Sequence, residues 1–350
     1  MQNTSPTDLR GAGRPAPLGF GRVFTDQMLT MQWAQGRGWH DAQVVARADL
    51  MLDPAAATLH YGQSLFEGLK AFRGTDGTVR LFRVDDHLRR MRDGAPRLAM
   101  PSIDVDMTRT ALLDLLRREA SWVPRERGQS LYIRPLMLAT EPFLGVRPAQ
   151  TYMLLVLLSP VGAYYERGLE ALRIWIEQEH VRAAPGGLGA VKTGANYAAS
   201  LVAAARAKAN GFDQVLWLDA VSRTHVEEVG TMNFFVRIGD EVITPALGDT
   251  ILGGITRASV LQLLRSWGVK VSERPLPLDE LTAASRAGTL QEAFGTGTAA
   301  VIAPIGELGL GDARLRLPAA PGEIASKLYS TLTAMHYGEQ PDPHGWLTAI

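Results

Sequence analysis

The stretch that is most informative about the fold is residues 186–197, Gly186-Gly187-Leu188-Gly189-Ala190-Val191-Lys192-Thr193-Gly194-Ala195-Asn196-Tyr197. A single lysine lies in a run of small residues, just before an alanine-rich segment with helical character. Glycine permits backbone conformations and close approaches that other residues resist. The loop therefore allows the lysine to meet a flat ligand from the side, although a solvated lysine in an ordinary surface loop fits the same residues.

The overall composition is that of a globular protein with room for two domains. The chain has 350 residues and a formal net charge of zero, and hydrophobic residues make up 46% of it. A zero net charge gives no reason to expect nucleic acid or an anionic membrane as a partner. Cysteine is absent, which excludes disulfides, thiolate metal ligands and cysteine nucleophiles. The histidines include no His-x-x-x-His pair, so we predict no metal site.

Two segments bear on the expected location of the protein. The longest apolar run, residues 153–158, is too short to cross a bilayer and predicts a buried strand. Residues 1–17 are polar and rich in proline and glycine, without the apolar core of a secretory signal. We expect a disordered N-terminus and a cytoplasmic protein with no membrane partner. A transit peptide, suggested by the arginines and few acidic residues, is the weaker alternative.

Hydrophobic periodicity and turn residues predict the secondary structure. Strands are predicted at residues 20–24, 79–82, 130–135, 152–158, 171–180 and 215–218. Helices are predicted at residues 85–98, at 106–120 with Asp106 or Thr108 as cap, and at 197–210 between an Asn196 cap and Gly211. The domain boundary is predicted at residues 161–170, between a first domain at 18–160 and a second at 171–350.

Two adjacent carboxylates, Glu227 and Glu228, enter the apolar stretch at residues 226–235. Along a strand, neighbouring side chains point to opposite faces. One of the two is then free to be solvated while the other is buried and needs a cationic partner. Two surface glutamates at a strand end are the alternative interpretation.

Two glycine-containing loops have the character of anion sites. In Gly253-Gly254-Ile255-Thr256-Arg257, Thr256 is predicted to cap a helix whose dipole and amide groups favour an anion. The loop Gly295-Thr296-Gly297-Thr298-Ala299-Ala300 can also present backbone donors. Simple capping without a ligand remains the alternative at the first loop.

Taken together, these residues suit pyridoxal phosphate. That cofactor needs a lysine for its aldehyde, a carboxylate opposite its ring nitrogen, a cup for its phosphate and a donor near its phenolic oxygen. The second half supplies Lys192, Glu228, the two loops and an aromatic hydroxyl at Tyr197. The chain has no Gly-x-x-x-x-Gly-Lys-Ser/Thr loop of the kind that binds nucleotides.

The order of short motifs along residues 18–337 resembles the branched-chain amino acid aminotransferases, which are fold-type IV pyridoxal-phosphate enzymes. The resemblance is specific because many segments match in one order. They are Phe20-Gly21, Phe24-Thr25-Asp26, Leu59-His60-Tyr61, Leu65-Phe66-Glu67-Gly68, Leu131-Tyr132-Ile133-Arg134-Pro135, Glu141-Pro142, Leu144-Gly145-Val146, Val161-Gly162-Ala163-Tyr164, Lys192, Gly194, Asn196-Tyr197, Gln214-Val215-Leu216-Trp217-Leu218 and Glu228-Val229-Gly230-Thr231-Met232-Asn233.

The resemblance implies a role for each cofactor-binding residue. Lys192 is the catalytic residue, which binds the cofactor aldehyde covalently and later moves a proton between the substrate Cα and the cofactor C4′. Glu228 pairs with the pyridine nitrogen and keeps it protonated, and Tyr197 hydrogen-bonds the phenolic oxygen. The implied phosphate ligands are Arg90, with Arg89 and Arg92 as close competitors, together with Ile255, Thr256 and Thr298.

The resemblance also implies the substrate site. Phe20, Phe66, Tyr132 and Thr231 would line the side-chain pocket. The substrate carboxylate would meet Thr298 and Ala299, with Tyr61 and Arg134 nearby. An apolar aromatic pocket discriminates weakly between similar aliphatic side chains, so leucine, isoleucine and valine are all expected to react. Arg134 would help to accept the second carboxylate of glutamate or 2-oxoglutarate.

The implied fold is α/β, with a smaller N-terminal domain, a larger C-terminal domain containing a barrel-like sheet, and the cofactor in the cleft between them. The implied reaction is a ping-pong exchange of the amino group between a branched-chain L-amino acid and 2-oxoglutarate. The family also implies a homodimer in which a loop of one subunit touches the site of the other. One departure is Gly253, where the family usually has proline before Gly-Ile-Thr-Arg. A second departure is that residues 297–303 contain no cysteine, so the redox-sensitive cysteine pair of some animal members is absent.

Three alternatives stand beside this interpretation. A D-amino acid aminotransferase and an aminodeoxychorismate lyase share the fold type, but the long N-terminal part with Phe20-Gly21 and the Tyr132-x-Arg134-Pro135 strand argue against both. A non-catalytic protein that only binds the cofactor is the third. The presence of Lys192, Tyr197 and Glu228 together argues against it.

Overall fold

The computed structural model describes residues 18–162 and 169–350. Residues 1–17, predicted to be disordered, and residues 163–168 of the predicted linker lie outside the described residues.

In the described residues the strands are β1 (Gln27–Ala34), β2 (Gly38–Ala46), β3 (Ser64–Phe66), β4 (Leu69–Arg73), β5 (Val79–Phe82), β6 (Ser130–Ala139), β7 (Thr151–Val161), β8 (Leu172–Ile176), β9 (Gln214–Leu218), β10 (Val226–Val229), β11 (Met232–Ile238), β12 (Glu241–Thr244), β13 (Val271–Glu273), β14 (Leu290–Gly297), β15 (Val301–Leu310), β16 (Ala313–Arg316) and β17 (Leu347–Ala349). The α-helices are α1 (Ala57–Tyr61), α2 (Val84–Gly94), α3 (Val105–Arg118), α4 (Gly194–Ala209), α5 (Ile255–Ser266), α6 (Leu278–Arg286) and α7 (Glu323–His336), and 3-10 turns lie at Ala95–Leu98 and Ala120–Trp122.

The chain divides into two compact units, one of Met1–Glu166 with Ala334–Ile350 and one of Arg167–Thr333. Residues 334–350 group with the N-terminal part because β17 pairs antiparallel with β5 and the ring of Phe72 stacks on His336 at 4.4 Å. The sequence patterns place this segment with the second domain instead, and the domain boundaries at 18–160, 161–170 and 171–350 stay predictions.

The first unit is built on one eight-stranded sheet. Its strand order is β17-β5-β4-β6-β7-β1-β2, and β3 also pairs with β6. All of its pairings are antiparallel. β6 and β7 are long, mostly apolar strands with few polar residues. Most of their side chains are therefore buried. This sheet therefore forms the core of the first unit.

The second unit contains a closed barrel. Its strands follow the order β10-β9-β8-β15-β14-β11, and an additional pairing of β10 with β11 joins the two ends. Closure removes the exposed strand edges that an open sheet would have. Buried aromatic rings pack on this sheet, among them Phe235 and Phe294, which stack with ring centroids 5.3 Å apart. The predicted α/β fold with a barrel-like sheet is confirmed.

Several predicted elements are corrected in detail. The strand predicted at residues 20–24 is wrong, because Gly21 has φ +68° and extended pairing begins at Gln27. The strand at Val79–Phe82 is confirmed. Helix α3 is capped by Asp104, whose carboxylate accepts the Met107 amide at 2.9 Å, so neither Asp106 nor Thr108 is the cap.

The described residues contain no helix long and apolar enough to span a bilayer. In the same ranges, no group of three or more histidine, aspartate and glutamate side chains is placed to hold a metal ion.

Candidate active site

The lysine loop, residues 177–193, runs from β8 to α4 and ends beside the first helical turn. Lys192 Nζ donates a hydrogen bond to the Tyr197 hydroxyl at 2.6 Å and lies 5.1 Å from the centroid of that ring. Asn196 was predicted to cap α4, but the helix begins at Gly194. The Asn196 amide instead donates to the carbonyls of Leu188 and Val191, each at 2.8 Å. These bonds fix the loop against the helix, and so fix the lysine beside the phenol.

A second segment, residues 249–254, holds the lysine loop from the other side. The Ala190 amide donates to the Asp249 carbonyl at 3.0 Å, and the Gly186 amide donates to the Asp249 carboxylate at 2.5 Å. A Cβ on Gly189 would lie 2.5 Å from Thr250 Cα, closer than real atoms approach. The glycine at position 189 is therefore required for the two backbones to meet.

Glu227 and Glu228 are both buried, with 7% and 3% of their surfaces exposed. The expectation that one of them is solvated is wrong. The register between β10 and β9 shifts between Val226 and Val229, which marks an irregularity of the bulge type. All four residues of β10 are buried, so both faces of the strand are covered and neither carboxylate reaches solvent.

Glu228 has the cationic partner that its burial requires. Arg182 Nε lies 3.1 Å from Glu228 Oε2, and the Leu252 amide donates to Oε1 at 2.8 Å. Burial raises the pKa of Glu228 to about 7, while Arg182, the Leu252 amide and Lys192 favour the ionised form. A further positive charge in the cavity would therefore lower the pKa of Glu228 and favour its ionised form.

Glu227 has a different environment from its neighbour. The Thr250 hydroxyl donates to Glu227 Oε1 at 2.5 Å, and Oε2 is buried without a hydrogen-bond partner among the described residues. Burial raises the pKa of Glu227, which favours its neutral form. The segment at residues 249–252 therefore contacts both carboxylates and the lysine loop.

One cavity collects these groups within the second unit. It measures about 350 Å³ with its open mouth included. Its lining consists of Arg182, Val191, Lys192, Asn196, Tyr197, Ser200, Glu228, Gly230, Thr231 and Leu252. A primary amine, a phenol and a buried carboxylate around one small cavity form the donor set that a pyridoxal ring requires. The residues present fit that cofactor.

Thr231 reaches this cavity because β10 and β11 form a tight hairpin. Val229 pairs with Met232, so Gly230 and Thr231 form the two-residue turn. Gly230 has φ +57°, as such turns require. The sequence pattern at 226–235 did not predict this turn, although glycine at the first central position is typical of one type of two-residue hairpin turn.

The start of α5 is shaped as expected for an anion site, but its capping differs from the prediction. The helix begins at Ile255, and Gly254 occupies the cap position, so Thr256 lies inside the first turn and is not the cap. A Cβ on Gly254 would lie 2.0 Å from Asn233 Oδ1, whereas a Cβ on Gly253 would make only an ordinary contact, 3.6 Å from Leu247 Cδ1. The structure therefore requires glycine at 254 and not at 253.

Thr298 and Ala299 lie in the turn between β14 and β15, in the same unit. In the described part of the chain, the cavity lining includes neither these two residues nor Ile255 and Thr256. Their contact with a cofactor or substrate stays a prediction.

The aromatic substrate-site residues of the first unit form a cluster of their own. The rings of Phe20 and Tyr132 lie 4.8 Å apart, and Arg134 donates to the Tyr132 hydroxyl at 2.7 Å. The Arg134 guanidinium also lies 4.7 Å from the Phe66 ring centroid. Tyr61 lies apart from this cluster, with its hydroxyl donating to the Leu144 carbonyl.

The structure distinguishes Arg90 from its neighbours in the first unit. Arg90 donates to both oxygens of the buried Glu67, at 2.7 and 2.8 Å, and His87 contacts the same carboxylate at 3.0 Å. Although burial opposes its charge, Arg90 and His87 lower the pKa of Glu67 well below its ordinary value. Arg89 and Arg92 are mostly exposed and pair with Asp86 and Asp93. Only Arg90 of the three is therefore held in a fixed orientation.

Two residues of the site were missed by sequence reasoning, Arg182 and Thr250. The need for a cation beside a buried glutamate was predicted, but not which residue supplies it. Arg182 lies far from Glu228 along the chain, in a loop without periodicity, and no local signal marks it. Its position follows only from the packing of the lysine loop on residues 249–252.

Comparisons with known proteins agree on one family. A family model described as Amino-transferase class IV matches residues 64–308. The branched-chain-amino-acid transaminase 1 of Bacillus subtilis (strain 168) is 47% identical over 344 residues, which cover 96% of this chain and 95% of that protein.

Solved structures show the same likeness. The branched-chain amino acid aminotransferase from Thermobaculum terrenum in its PLP form aligns with a TM-score of 0.73 and 26% identity, over 93% of this chain and 99% of that chain. The branched-chain amino acid aminotransferase of Escherichia coli gives a TM-score of 0.72 and 26% identity, over 91% of this chain and 98% of that chain. A further branched-chain amino acid aminotransferase, complexed with N-(5'-phosphopyridoxyl)-L-glutamate, gives 0.71 and 26%, over 91% and 97%.

Proposed function

The chain belongs to the class IV amino-transferase family, and we propose that it works as a branched-chain-amino-acid aminotransferase dependent on pyridoxal 5′-phosphate. In this reaction the amino group of L-leucine, L-isoleucine or L-valine passes to 2-oxoglutarate, giving the branched 2-oxo acid and L-glutamate. The relatives at 47% identity carry this activity in their names, and the solved neighbours include PLP and phosphopyridoxyl-glutamate complexes.

One observation carries the proposal. Lys192, Tyr197 and Glu228 line a single cavity, with the amine and the phenol already 2.6 Å apart. When bound, the cofactor ring supplies the electron sink for the pair released at the substrate Cα. Lys192 Nζ would hold the cofactor aldehyde and, as the base of the site, would move a proton between the substrate Cα and the cofactor C4′. Tyr197 would hydrogen-bond the phenolic oxygen, and Glu228 would pair with the ring nitrogen.

The phosphate and substrate contacts follow from the family resemblance. We assign the phosphate to Ile255 and Thr256, supported by the amide groups and dipole of the first turn of α5. Thr298 and Arg90 are the further phosphate ligands in this proposal, and the fixed orientation of Arg90 supports the choice of Arg90 over Arg89 and Arg92.

For the substrate, we assign the aliphatic side chain to the pocket of Phe20, Phe66, Tyr132 and Thr231. The carboxylate that both substrates share is assigned to Thr298, Ala299 and Tyr61. Arg134 is assigned to the distal carboxylate of glutamate, since a guanidinium beside aromatic rings serves a carboxylate and leaves the pocket apolar.

The test is the absorbance spectrum of the purified protein with bound cofactor, before and after addition of L-leucine or D-alanine without any keto acid. L-leucine alone is expected to convert the band of the lysine-bound cofactor into that of the aminated cofactor. Conversion by D-alanine alone would support the D-amino acid aminotransferase instead. A lysine-bound band that no amino acid converts would support a protein that only binds the cofactor.

We also propose that the protein is a homodimer. Leu201 and Val202 on α4 are 65% and 63% exposed, and Val146 in the loop before β7 is 85% exposed, which supports a partner surface. Sedimentation equilibrium measures the state directly. A cytoplasmic location stays a prediction, checked by fractionating the cells that make the protein.

A further inference from the structure

The contact of Arg182 with Glu228 has a consequence for the proton on the cofactor ring. We propose that Arg182 is a positioning residue that keeps Glu228 ionised, so that the shared proton stays on the pyridine nitrogen and not on the carboxyl group. This inference rests on the proposed function of the cavity. It assigns to the reaction a residue outside the set expected to touch the cofactor.

The geometry supports this role. Arg182 lies in the lysine loop, lines the cavity and is largely buried. Its Nε is 3.1 Å from Glu228 Oε2 but makes no linear hydrogen bond there, so the contact is one of charge. The Leu252 amide occupies Oε1. A lone pair of Oε2 thus remains for the N–H of a ring in the cavity.

Two states compete once a pyridine ring faces Glu228. In one, the ring nitrogen carries the proton and the carboxylate is charged; in the other, the nitrogen and the carboxyl are both neutral. A fixed cation touching the carboxylate stabilises the first state more than it repels the ring, because it is closer to the carboxylate. An opposite charge at this range moves a carboxyl pKa by about 1–3 units, so the ratio of the two states changes by about 10- to 1000-fold.

The other charges near Glu228 do not provide this effect. Glu227, its neighbour on β10, raises the pKa of Glu228 further. Lys192 favours the ionised form, but its amine is the group that reacts. The pKa of Glu228, which burial raises to about 7, already includes the opposing effect of Arg182, so burial without that cation would raise the pKa further and favour the neutral carboxyl. Arg182 is the permanent cation in contact with the carboxylate.

The arginine is itself fixed by the backbone. Its Nη2 donates to the carbonyl of Gly189 at 3.1 Å and to the carbonyl of Thr250. These two carbonyls belong to the lysine loop and to the segment at residues 249–252. The guanidinium is therefore held in place by the same two segments that position Lys192 and Glu228.

The experiment uses holoenzyme loaded with cofactor labelled with ¹⁵N at the ring nitrogen. The ¹⁵N chemical shift reports the protonation of that atom independently of turnover. The wild type is expected to show the protonated signal at neutral pH, and Arg182→Gln to show a shift towards the unprotonated position. In that variant kcat and kcat/KM for L-leucine should fall together, because the interaction matters in the transition state.

Arg182→Lys separates charge from structure, because lysine keeps the charge but lacks the fork that reaches both carbonyls. Recovery of the protonated signal in this variant supports the proposal, also where Arg182→Gln fails to fold. Arg257→Gln is the control: the Arg257 side chain is also largely buried and pairs with Glu273 at 2.9 Å, and Arg257 is not among the residues that line the cavity. Its ring-nitrogen signal should equal that of the wild type.

The proposal is overturned if Arg182→Gln binds cofactor and keeps the wild-type ¹⁵N signal, or if Arg182→Lys folds, binds cofactor and shows the unprotonated signal. Wild-type turnover with L-leucine and 2-oxoglutarate is measured first. Its absence would count against the proposed function, and the ¹⁵N signals of wild type and variants would still decide the role of Arg182.

Discussion

The Nζ atom of Lys192 lies 2.6 Å from the hydroxyl of Tyr197, five positions further along the chain. The lysine precedes α4 and the tyrosine lies in its first turn, so a single loop-to-helix junction places both groups in the cavity. The amine and the phenol, to which we assign the reaction and the orientation of the ring, are therefore positioned by one local element.

Replacing Lys192 with alanine is expected to abolish transamination while leaving the fold intact. The side chain contributes to the chemistry and is only partly buried, so its loss costs little packing. Loss of the group that moves the proton lowers turnover by at least about 10²–10⁴-fold. The measurements are amino transfer from L-leucine, the absorbance of the lysine-bound cofactor and circular dichroism. Lys208→Ala, on the exposed side of α4, is the control, and wild-type turnover in Lys192→Ala would refute the assignment.

Glu228→Gln is expected to lower turnover far more than cofactor content. Glutamine keeps the shape of the side chain and can still accept from the Leu252 amide, but it carries no charge to hold a proton on the ring nitrogen. Cofactor content is measured by absorbance after release in alkali, and turnover by steady-state kinetics. Equal turnover in the variant and the wild type would show that Glu228 is not the partner of the ring.

The pH dependence of the cofactor-free protein should reveal Glu228 as well. Burial raises its pKa from 4.5 to about 7, so the folded protein binds this proton more tightly than the unfolded chain does. The stabilisation is complete below pH 4.5 and is lost as the pH rises through about 7, by up to about 3 kcal/mol. Urea unfolding across this range should show the loss in the wild type and a smaller one in Glu228→Gln. Parallel pH profiles of the two proteins would contradict the raised pKa.

Features that depend on local sequence could be predicted from the sequence. Features that depend on tertiary packing could not. The lysine loop, the Val79–Phe82 strand and the end of α4 shortly before Gly211 follow from glycine placement and periodicity. The burial of both Glu227 and Glu228 did not, because tertiary packing covers both faces of β10. Arg182 was not predicted either, because its contacts join segments that are distant in sequence. Resemblance to a family supplied the barrel, which short-range patterns do not encode.

Arg90→Gln is expected to weaken cofactor binding, whereas Arg89→Gln is not. Arg90 is fixed by two hydrogen bonds to Glu67, and Arg89 is an exposed partner of Asp86. Loss of one charge-assisted contact to the phosphate costs about 1.5–3 kcal/mol, or about 10- to 150-fold in affinity. Titration of cofactor-free protein with pyridoxal 5′-phosphate gives the affinity, and titration with pyridoxal, which lacks the phosphate, isolates the phosphate contribution. Equal losses for both ligands would indicate that Arg90 acts only through the fold.

Arg134→Gln is expected to separate the two substrates of the enzyme. Arg134 donates to the Tyr132 hydroxyl and packs on the Phe66 ring, so its charge lies among residues assigned to the side-chain pocket. A branched aliphatic side chain makes no hydrogen bond or ion pair with that charge, whereas the distal carboxylate of 2-oxoglutarate can make both. The KM for 2-oxoglutarate should therefore rise about 10- to 100-fold, with a much smaller change for the 2-oxo acid of leucine. Arg127→Gln, which removes an exposed pair with Glu339 in the same unit, is the matched control. If the KM values of both oxo acids rise together in Arg134→Gln, the arginine supports the pocket walls and does not choose between substrates.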